Sequence, residues 1–207
     1  MGVQERKERE KAARRAAILE AAKKLIQEKP YDSIIMEDIS TRLEISRATL
    51  YLYFKNKEEI YTTLLTMGMR ELEAGYAEAL KNTGPEPMEN LVKCAVVFFS
   101  FYMGNHSYFD LLVTNRDHLL RECRPEVRKE FEEAGSSVIK PIVAVFKAGM
   151  DQGKFQRQDP DKMAYLLRAI AIGIAVGFRE GNLRFPEDVI LMKDVVLYGL
   201  LGKKPDA

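Results

Sequence analysis

Arg47, Ala48, Thr49, Tyr51 and Tyr53 fall within seven consecutive residues, on the outward side of one short predicted helix. They carry a cation, a small side chain, a hydroxyl and two phenols. Arginine can donate a paired set of hydrogen bonds to guanine, and a thymine methyl can pack on alanine or on a threonine methyl. Tyrosine hydroxyls suit phosphate oxygens, contacts that fix register without reading sequence. Lys55 and Lys57 follow directly, where a nucleic-acid backbone would pass. The chemistry these residues offer is recognition of a DNA major groove.

Two short helices and a turn must hold that face in place. Ile39 and Leu43 are four apart and share one helical face; Leu50 and Phe54 do the same in the next helix, with Ile45 in the turn between. These five predict a small core that sets the angle between the helices. Ser46 is placed to cap the second helix, its hydroxyl accepting from an unpaired backbone N–H. The expected DNA-contacting set is Ile35, Met36, Ser46, Arg47, Ala48, Thr49, Tyr51, Tyr53, Lys55 and Lys57.

Bulk properties fit that reading. The 207 residues are 46% hydrophobic and 30% charged, ordinary for one or two globular domains. The net charge of +1 is unevenly placed: residues 1–57 hold 13 Lys and Arg against 9 Asp and Glu, the other 150 hold 19 against 22. A basic end on a mildly acidic body suits a DNA-reading head. Cys94 and Cys123 stand alone, so neither a disulfide framework nor a zinc site is expected. The charged N-terminus has no signal-peptide pattern, and the longest uncharged run, Cys94–Phe109, is shorter than the ~20 apolar residues of a membrane span. A cytoplasmic protein with no membrane partner is expected.

The rest of the chain predicts an all-α fold of about nine helices. The first helix is expected from Ala12 to Glu28, after a fraying charged start, and Pro30 ends it. After the motif, Asn56 caps a connecting helix over residues 57–80, which Gly84, Pro85 and Pro87 terminate. Further helices are expected over 91–103, 109–122, 126–150, 160–180 and 186–201. Pro141 should kink or divide the 126–150 span. Asp159 and Pro160 open the next helix as N-cap and first helical residue. The domains are placed at 1–57, a three-helix head, and 58–207, a larger helical body.

No catalytic or metal-binding constellation emerges. His106 and His118 are twelve apart without a carboxylate partner motif, and neither G-x-x-x-x-G-K-[ST] nor G-x-S-x-G occurs. No enzyme activity, metal or cofactor is expected. The stretch Val96–Phe109 is dense in aromatic side chains. It reads either as a filled core or as the wall of a small-molecule pocket. The pocket candidates are Phe98, Phe101, Tyr102, Asn105, His106, Phe109, Arg116 and Arg168. Ala169, Gly173 and Gly177 are spaced by four and form a smooth strip, which predicts close helix–helix approach, within one chain or between two.

In residues 33–59 the chain resembles the tetracycline-repressor (TetR) family. The resemblance is carried by Asp38-Ile39, Ile45-Ser46, Thr49-Leu50-Tyr51, Tyr53-Phe54, Lys57 and Glu58-Glu59; later, GMDQGKF and Asp159-Pro160 look like a late helix–turn–helix of that family. Three positions depart from its pattern. Ile35 stands where a capping hydroxyl is usual, so Ser33 or a backbone contact must replace the cap. Glu44 stands where glycine is usual, and Ser40 where alanine is usual. The resemblance implies a homodimeric DNA-binding regulator, a repressor that binds a palindromic operator and is released by a small apolar or amphipathic effector. It also implies a dimer interface from the last two helices, with Ala169, Gly173, Gly177, Val189, Met192, Val196 and Leu200 as candidates. The alternatives are a helical-bundle enzyme or carrier with an incidental helix–turn–helix, and a regulator whose C-terminal domain answers to a protein partner.

Overall fold

The computed structural model describes residues 2–81, 84–184 and 188, which are mostly helical with no strand among them. Ten α-helices are seen among these residues: α1 (Val3–Glu28), α2 (Met36–Arg42), α3 (Arg47–Tyr51), α4 (Lys57–Leu80), α5 (Pro87–Gly104), α6 (His106–Thr114), α7 (Arg116–Glu122), α8 (Pro125–Ser137), α9 (Lys140–Asp151) and α10 (Pro160–Arg179). A 3-10 turn, Tyr31–Ser33, joins α1 to α2. The helix expected over 186–201 lies, apart from residue 188, outside the described residues.

Two expected helices are divided. The 109–122 segment breaks at Asn115, whose backbone (φ −119°, ψ 1°) leaves the helical region, while its carbonyl accepts from Leu119 N at 2.9 Å to start α7. The 126–150 segment breaks at Val138–Ile139, which leaves Pro141 in the first turn of α9. There the missing proline N–H has no intrahelical partner to lose. Helix α1 begins nine residues earlier than expected. Its charged start is held by Gly2 N donating to Glu5 Oε2 (3.0 Å), by Gln4–Glu8, and by Arg6–Glu10 at 2.8 Å. Pairs at i,i+4 support a helix that buries little.

The helices form two compact units. The first comprises Met1–Met69 and Asn105–Gly135, the second Arg70–Gly104 and Ser136–Ala207. The head expected over 1–57 thus lies wholly in the first unit, together with α6, α7 and most of α8. Its core gathers Ile18, Ala22, Ile34, Ile39, Leu50, Phe54, Ile60 and Tyr61, each nearly or fully buried. Tyr61 completes this core by donating its hydroxyl to the Ala22 carbonyl at 3.1 Å.

In the second unit α5, α9 and α10 pack on one another. Tyr102 donates its hydroxyl to the Ala175 carbonyl at 2.8 Å, and Phe99 meets Phe178 edge to face at 5.9 Å. Gly149 is required by a close approach: a Cβ there would lie 2.2 Å from the Phe155 ring. The turn after α9 places Gly153 at φ 67°, and Phe155 folds back to pack on Phe146 with ring centroids 5.9 Å apart. Asp159 caps α10, accepting from Asp161 N and Lys162 N at 3.0 and 3.2 Å, and Gly181 (φ 74°) follows its end.

Candidate nucleic-acid interface

Helices α2 and α3 meet through Ile39, Leu50 and Phe54, which are 0–2% exposed, with Leu43 and Ile45 half-buried beside them. The expected five-residue core is therefore present. The turn between the helices keeps the left-handed conformation usual for glycine, although residue 44 is glutamate (φ 53°). Glu44 N donates to Thr41 O and Ile45 N to Ser40 O, both at 3.1 Å, so tertiary packing and these bonds hold a backbone that disfavours a β-carbon. Ser46 caps α3: its hydroxyl accepts from Thr49 N at 3.0 Å and also lies 2.8 Å from the Thr49 hydroxyl. Helix α3 proper ends at Tyr51, and hydrogen-bonded turns continue to Phe54.

This construction leaves Arg47, Ala48 and Tyr51 exposed, with Thr49 and Tyr53 half-buried at their side. Tyr53 packs against the head core. Met36 departs from expectation. Its side chain is 8% exposed and belongs to the core, because the first turn of α2 rotates it inward with Ile39. Ile35 stays out, 55% exposed.

The cap that Ile35 cannot provide is supplied from the other side. Ile35 N donates to Asp38 Oδ2 at 2.8 Å, whereas the Ser33 hydroxyl turns back to Pro30 O. That amide, together with Lys29 at 2.7 Å, holds the Asp38 carboxyl below its usual range. Half of a capping box is thus present, and the missing half is a side-chain acceptor at residue 35. Ile35→Thr is expected to raise stability by about 1 kcal/mol, measured by urea denaturation. No gain would show that the first N–H groups of α2 are already satisfied.

Two residues at this face carry no sequence signal of their role. Leu52 is 80% exposed beside Tyr51 and adds an apolar side chain to the exposed side of α3. Glu37 reaches Arg47, with Oε2 3.4 Å from Nη1, so the exposed arginine of α3 is engaged by an acid from α2. Only the angle between the helices brings them together.

The first turn of α4 ties the head together. The Lys57 ammonium donates to Ile34 O (2.8 Å) and Tyr31 O (3.1 Å) and lies 4.3 Å above the Tyr31 ring. Two of its three donors are used, leaving one for a phosphate. Lys57→Ala is expected to destabilise the chain by about 1–2 kcal/mol and to lower the salt slope of DNA binding by about one unit. An unchanged slope in a salt titration would leave Lys57 a structural residue alone.

Tyr31 donates its hydroxyl to Glu58 Oε1 at 3.0 Å, and the burial of that phenol pushes its ionisation far above the usual range, with the Glu58 carboxylate adding to the effect. Asn56 Oδ1 accepts from Glu59 N at 3.0 Å, the expected cap, while its Nδ2 donates to Glu122 O at 3.1 Å. Glu59 is fully buried and accepts from Lys55 N (2.9 Å), Arg124 N (3.0 Å) and the Arg124 guanidinium (2.7 and 2.8 Å). The chain leaving α3 is thereby fastened to the α7–α8 corner.

The pocket candidates divide equally between the units. Phe98, Phe101, Tyr102 and Arg168 lie in the second; Asn105, His106, Phe109 and Arg116 lie in the first. Phe98 and Tyr102 are buried, and the Tyr102 hydroxyl serves α10. Arg168 lies 4.9 Å above the Tyr165 ring. In the first unit Phe109 is buried, Asn105 O accepts from Tyr108 N to start α6, and Arg116 lies 5.9 Å from the Phe131 ring.

Among the interface candidates, Val189, Met192, Val196 and Leu200 lie outside the described residues. Ala169 and Gly173 are exposed on α10, but Gly177 has an internal reason: a Cβ there would meet Leu183 Cδ1 at 2.6 Å. Among the described residues no group of three or more His, Cys, Asp or Glu side chains is placed to hold a metal ion. Among the same residues no helix is long and apolar enough to cross a membrane.

Known proteins share both this head and the helical body. The family profile described as "Bacterial regulatory proteins, tetR family" matches residues 18–64, from the middle of α1 to the first turns of α4. The HTH-type transcriptional regulator EthR of Mycobacterium tuberculosis is 27% identical over 147 residues, 71% of this chain and 66% of EthR. The match thus spans just under two thirds of that relative's length. PfmR of Thermus thermophilus, a TetR family transcriptional regulator, superposes with a TM-score of 0.69 at 25% identity, covering 87% of this chain and 96% of its own. FadR of Bacillus subtilis, a transcriptional regulator solved with stearoyl-CoA, shares the fold with a TM-score of 0.69 at 21% identity, covering 90% and 97%. With the capped α3, the buried α2–α3 core and the matched profile in agreement, residues 18–64 form a head of the TetR family of bacterial regulatory proteins, and the helical body shares the fold of such regulators.

Proposed function

We propose that this chain is a transcriptional repressor that binds a roughly palindromic operator as a homodimer, with α3 in the major groove, and that a small apolar or amphipathic effector releases it. The observation that carries the reading is the exposed face of Arg47, Ala48 and Tyr51 on a helix capped by Ser46 and seated on buried Leu50. A second subunit related by two-fold symmetry would present the same face to the other half-site. The aromatic residues of α5 and the stearoyl-CoA in FadR support an effector with an apolar chain. Release requires that the effector bind the DNA-incompetent state more tightly, and DNA then weakens the effector by the same factor.

The dimer is supported by Tyr165, Leu166, Ala169 and Gly173, an exposed, largely apolar strip on α10. Among the described residues nothing lies within 4 Å of where a Gly173 Cβ would stand, so a side chain there starts in open space beside them. The Gly173→Leu variant is expected to sediment as a monomer where the parent sediments as a dimer. A variant that remains dimeric would place the interface elsewhere. Selection of bound fragments from random DNA tests the main reading. It should return an inverted repeat, and recovery of no enriched sequence would overturn operator recognition.

A further inference from the structure

The first half of α1 carries a charged face that the head core does not use. Lys7, Lys11, Arg14, Ile18, Ala22 and Leu25 follow one another at intervals of 4, 3, 4, 4 and 3 residues, the repeat of a single helical face. Ile18, Ala22 and Leu25 are 0–6% exposed and pack into the head core. Lys7, Lys11 and Arg14 continue the same stripe onto residues 2–16, all of which are exposed. The stripe therefore overhangs the core on the core's own side. Lys7 lies about 17 Å along the axis from Ile18 at 1.5 Å per residue.

The acids of this segment are elsewhere. Glu5 accepts from Gly2 N, Glu8 from Gln4, and Glu10 pairs with Arg6 at 2.8 Å. Among the described residues Lys7, Lys11 and Arg14 have no ion-pair partner. The root of the overhang is fixed where it matters: the Arg15 guanidinium sits 5.0 Å above the ring of Phe54, just past the recognition helix. A helix that buries nothing is marginal in water at this length. Its only apolar residues after Val3 are Ala12, Ala13 and Ala16, so it lacks the apolar face that an interfacial membrane helix inserts. Three unpaired cations in register instead match a row of phosphates.

We propose that Lys7, Lys11 and Arg14 form an arm that lies along the phosphate backbone of duplex DNA flanking the operator half-site. The inference rests on operator binding as proposed above, and it adds a sequence-independent contact outside residues 18–64. Each phosphate neutralised should add about 0.9 to the salt slope. The arm would lengthen the footprint and raise affinity without changing base preference.

The test uses the full chain and two duplexes, the selected operator core alone and the same core with about ten extra base pairs, roughly one helical turn, on each side. Affinity is measured by fluorescence anisotropy across a salt series. The Lys7→Gln/Lys11→Gln/Arg14→Gln variant is expected to lower the slope on the long duplex by about two to three units per head. It should leave the core duplex and the base preference unchanged. Arg6→Gln/Arg9→Gln, on the other faces of α1, should leave both slopes nearly unaltered. Circular dichroism checks that each variant keeps its helix content. Equal losses per charge from the two variants would mean a general field and would overturn the arm, as would an unchanged slope on the long duplex. A parent that binds both duplexes while the triple variant matches it overturns the arm alone. A parent that binds neither overturns operator recognition and the arm together.

Discussion

Arg124→Ala is expected to destabilise the chain by about 3 kcal/mol, the low end of the range for removing one partner of a buried ion pair. Glu59 is fully buried, and the guanidinium supplies two of its four hydrogen bonds. The low end applies because the Arg124 side chain is 52% exposed and the amides of Lys55 and Arg124 remain on the carboxylate. The dependence on pH gives a second readout. Burial pushes the Glu59 carboxyl up, but the Arg124 guanidinium and the two amides outweigh it and hold the group below its usual range. A carboxyl depressed in the folded state adds stability that is complete above its unfolded value of ~4.3 and is lost as pH falls through the folded value. Without Arg124 that depression shrinks. The variant should therefore lose less stability than the parent between about pH 5 and 3. Denaturation midpoints across that range test both statements, and parallel curves offset by under ~0.5 kcal/mol would reduce the pair to a surface contact of no consequence. Operator affinity should fall as well, since the pair fastens the chain after α3 to the α7–α8 corner.

Arg47→Ala is expected to weaken operator binding by about 1–3 kcal/mol, roughly 5- to 150-fold, and to relax preference at one base position. Its effect on folding should stay within about 0.5 kcal/mol, because the Arg47–Glu37 contact is exposed on both sides. The same contact gives the sign of a companion change. Glu37→Gln removes an acid that competes with DNA for the guanidinium, so binding should tighten by up to about fivefold, the equivalent of ~1 kcal/mol. Competition assays with operator and scrambled duplex separate the roles. Equal losses on both duplexes would make Arg47 a phosphate contact, and no loss on either would remove it from the interface.

The head was readable from the chain because its signals are local. Apolar residues four apart, a serine before the second helix and a cation–hydroxyl–phenol face follow from helical repeat and capping chemistry, and Ile39, Leu50, Phe54 and Ser46 stand where that chemistry puts them. Met36 escaped because a residue in the first turn of a seven-residue helix can face either way until a neighbouring core claims it. The start of α1 escaped because its charges look like a frayed end, whereas pairs at i,i+4 are enough to extend the helix to Val3. Gly177 had two readings, and Leu183 folding back from the following turn supplies the internal one.

Residue order alone was enough for a helical chain, the two helices of the motif, the exposed side of α3 and the caps at Ser46, Asn56 and Asp159. Each depends on neighbours within about one helical turn, where the geometry is set by the backbone repeat. Long-range packing settled the pairings between distant segments: Arg124 with Glu59, Lys57 with the carbonyls of Tyr31 and Ile34, Arg47 with Glu37, and Phe155 in the space left by Gly149. Charge and shape allow each of these residues many partners, and only the docking of whole helices selects one.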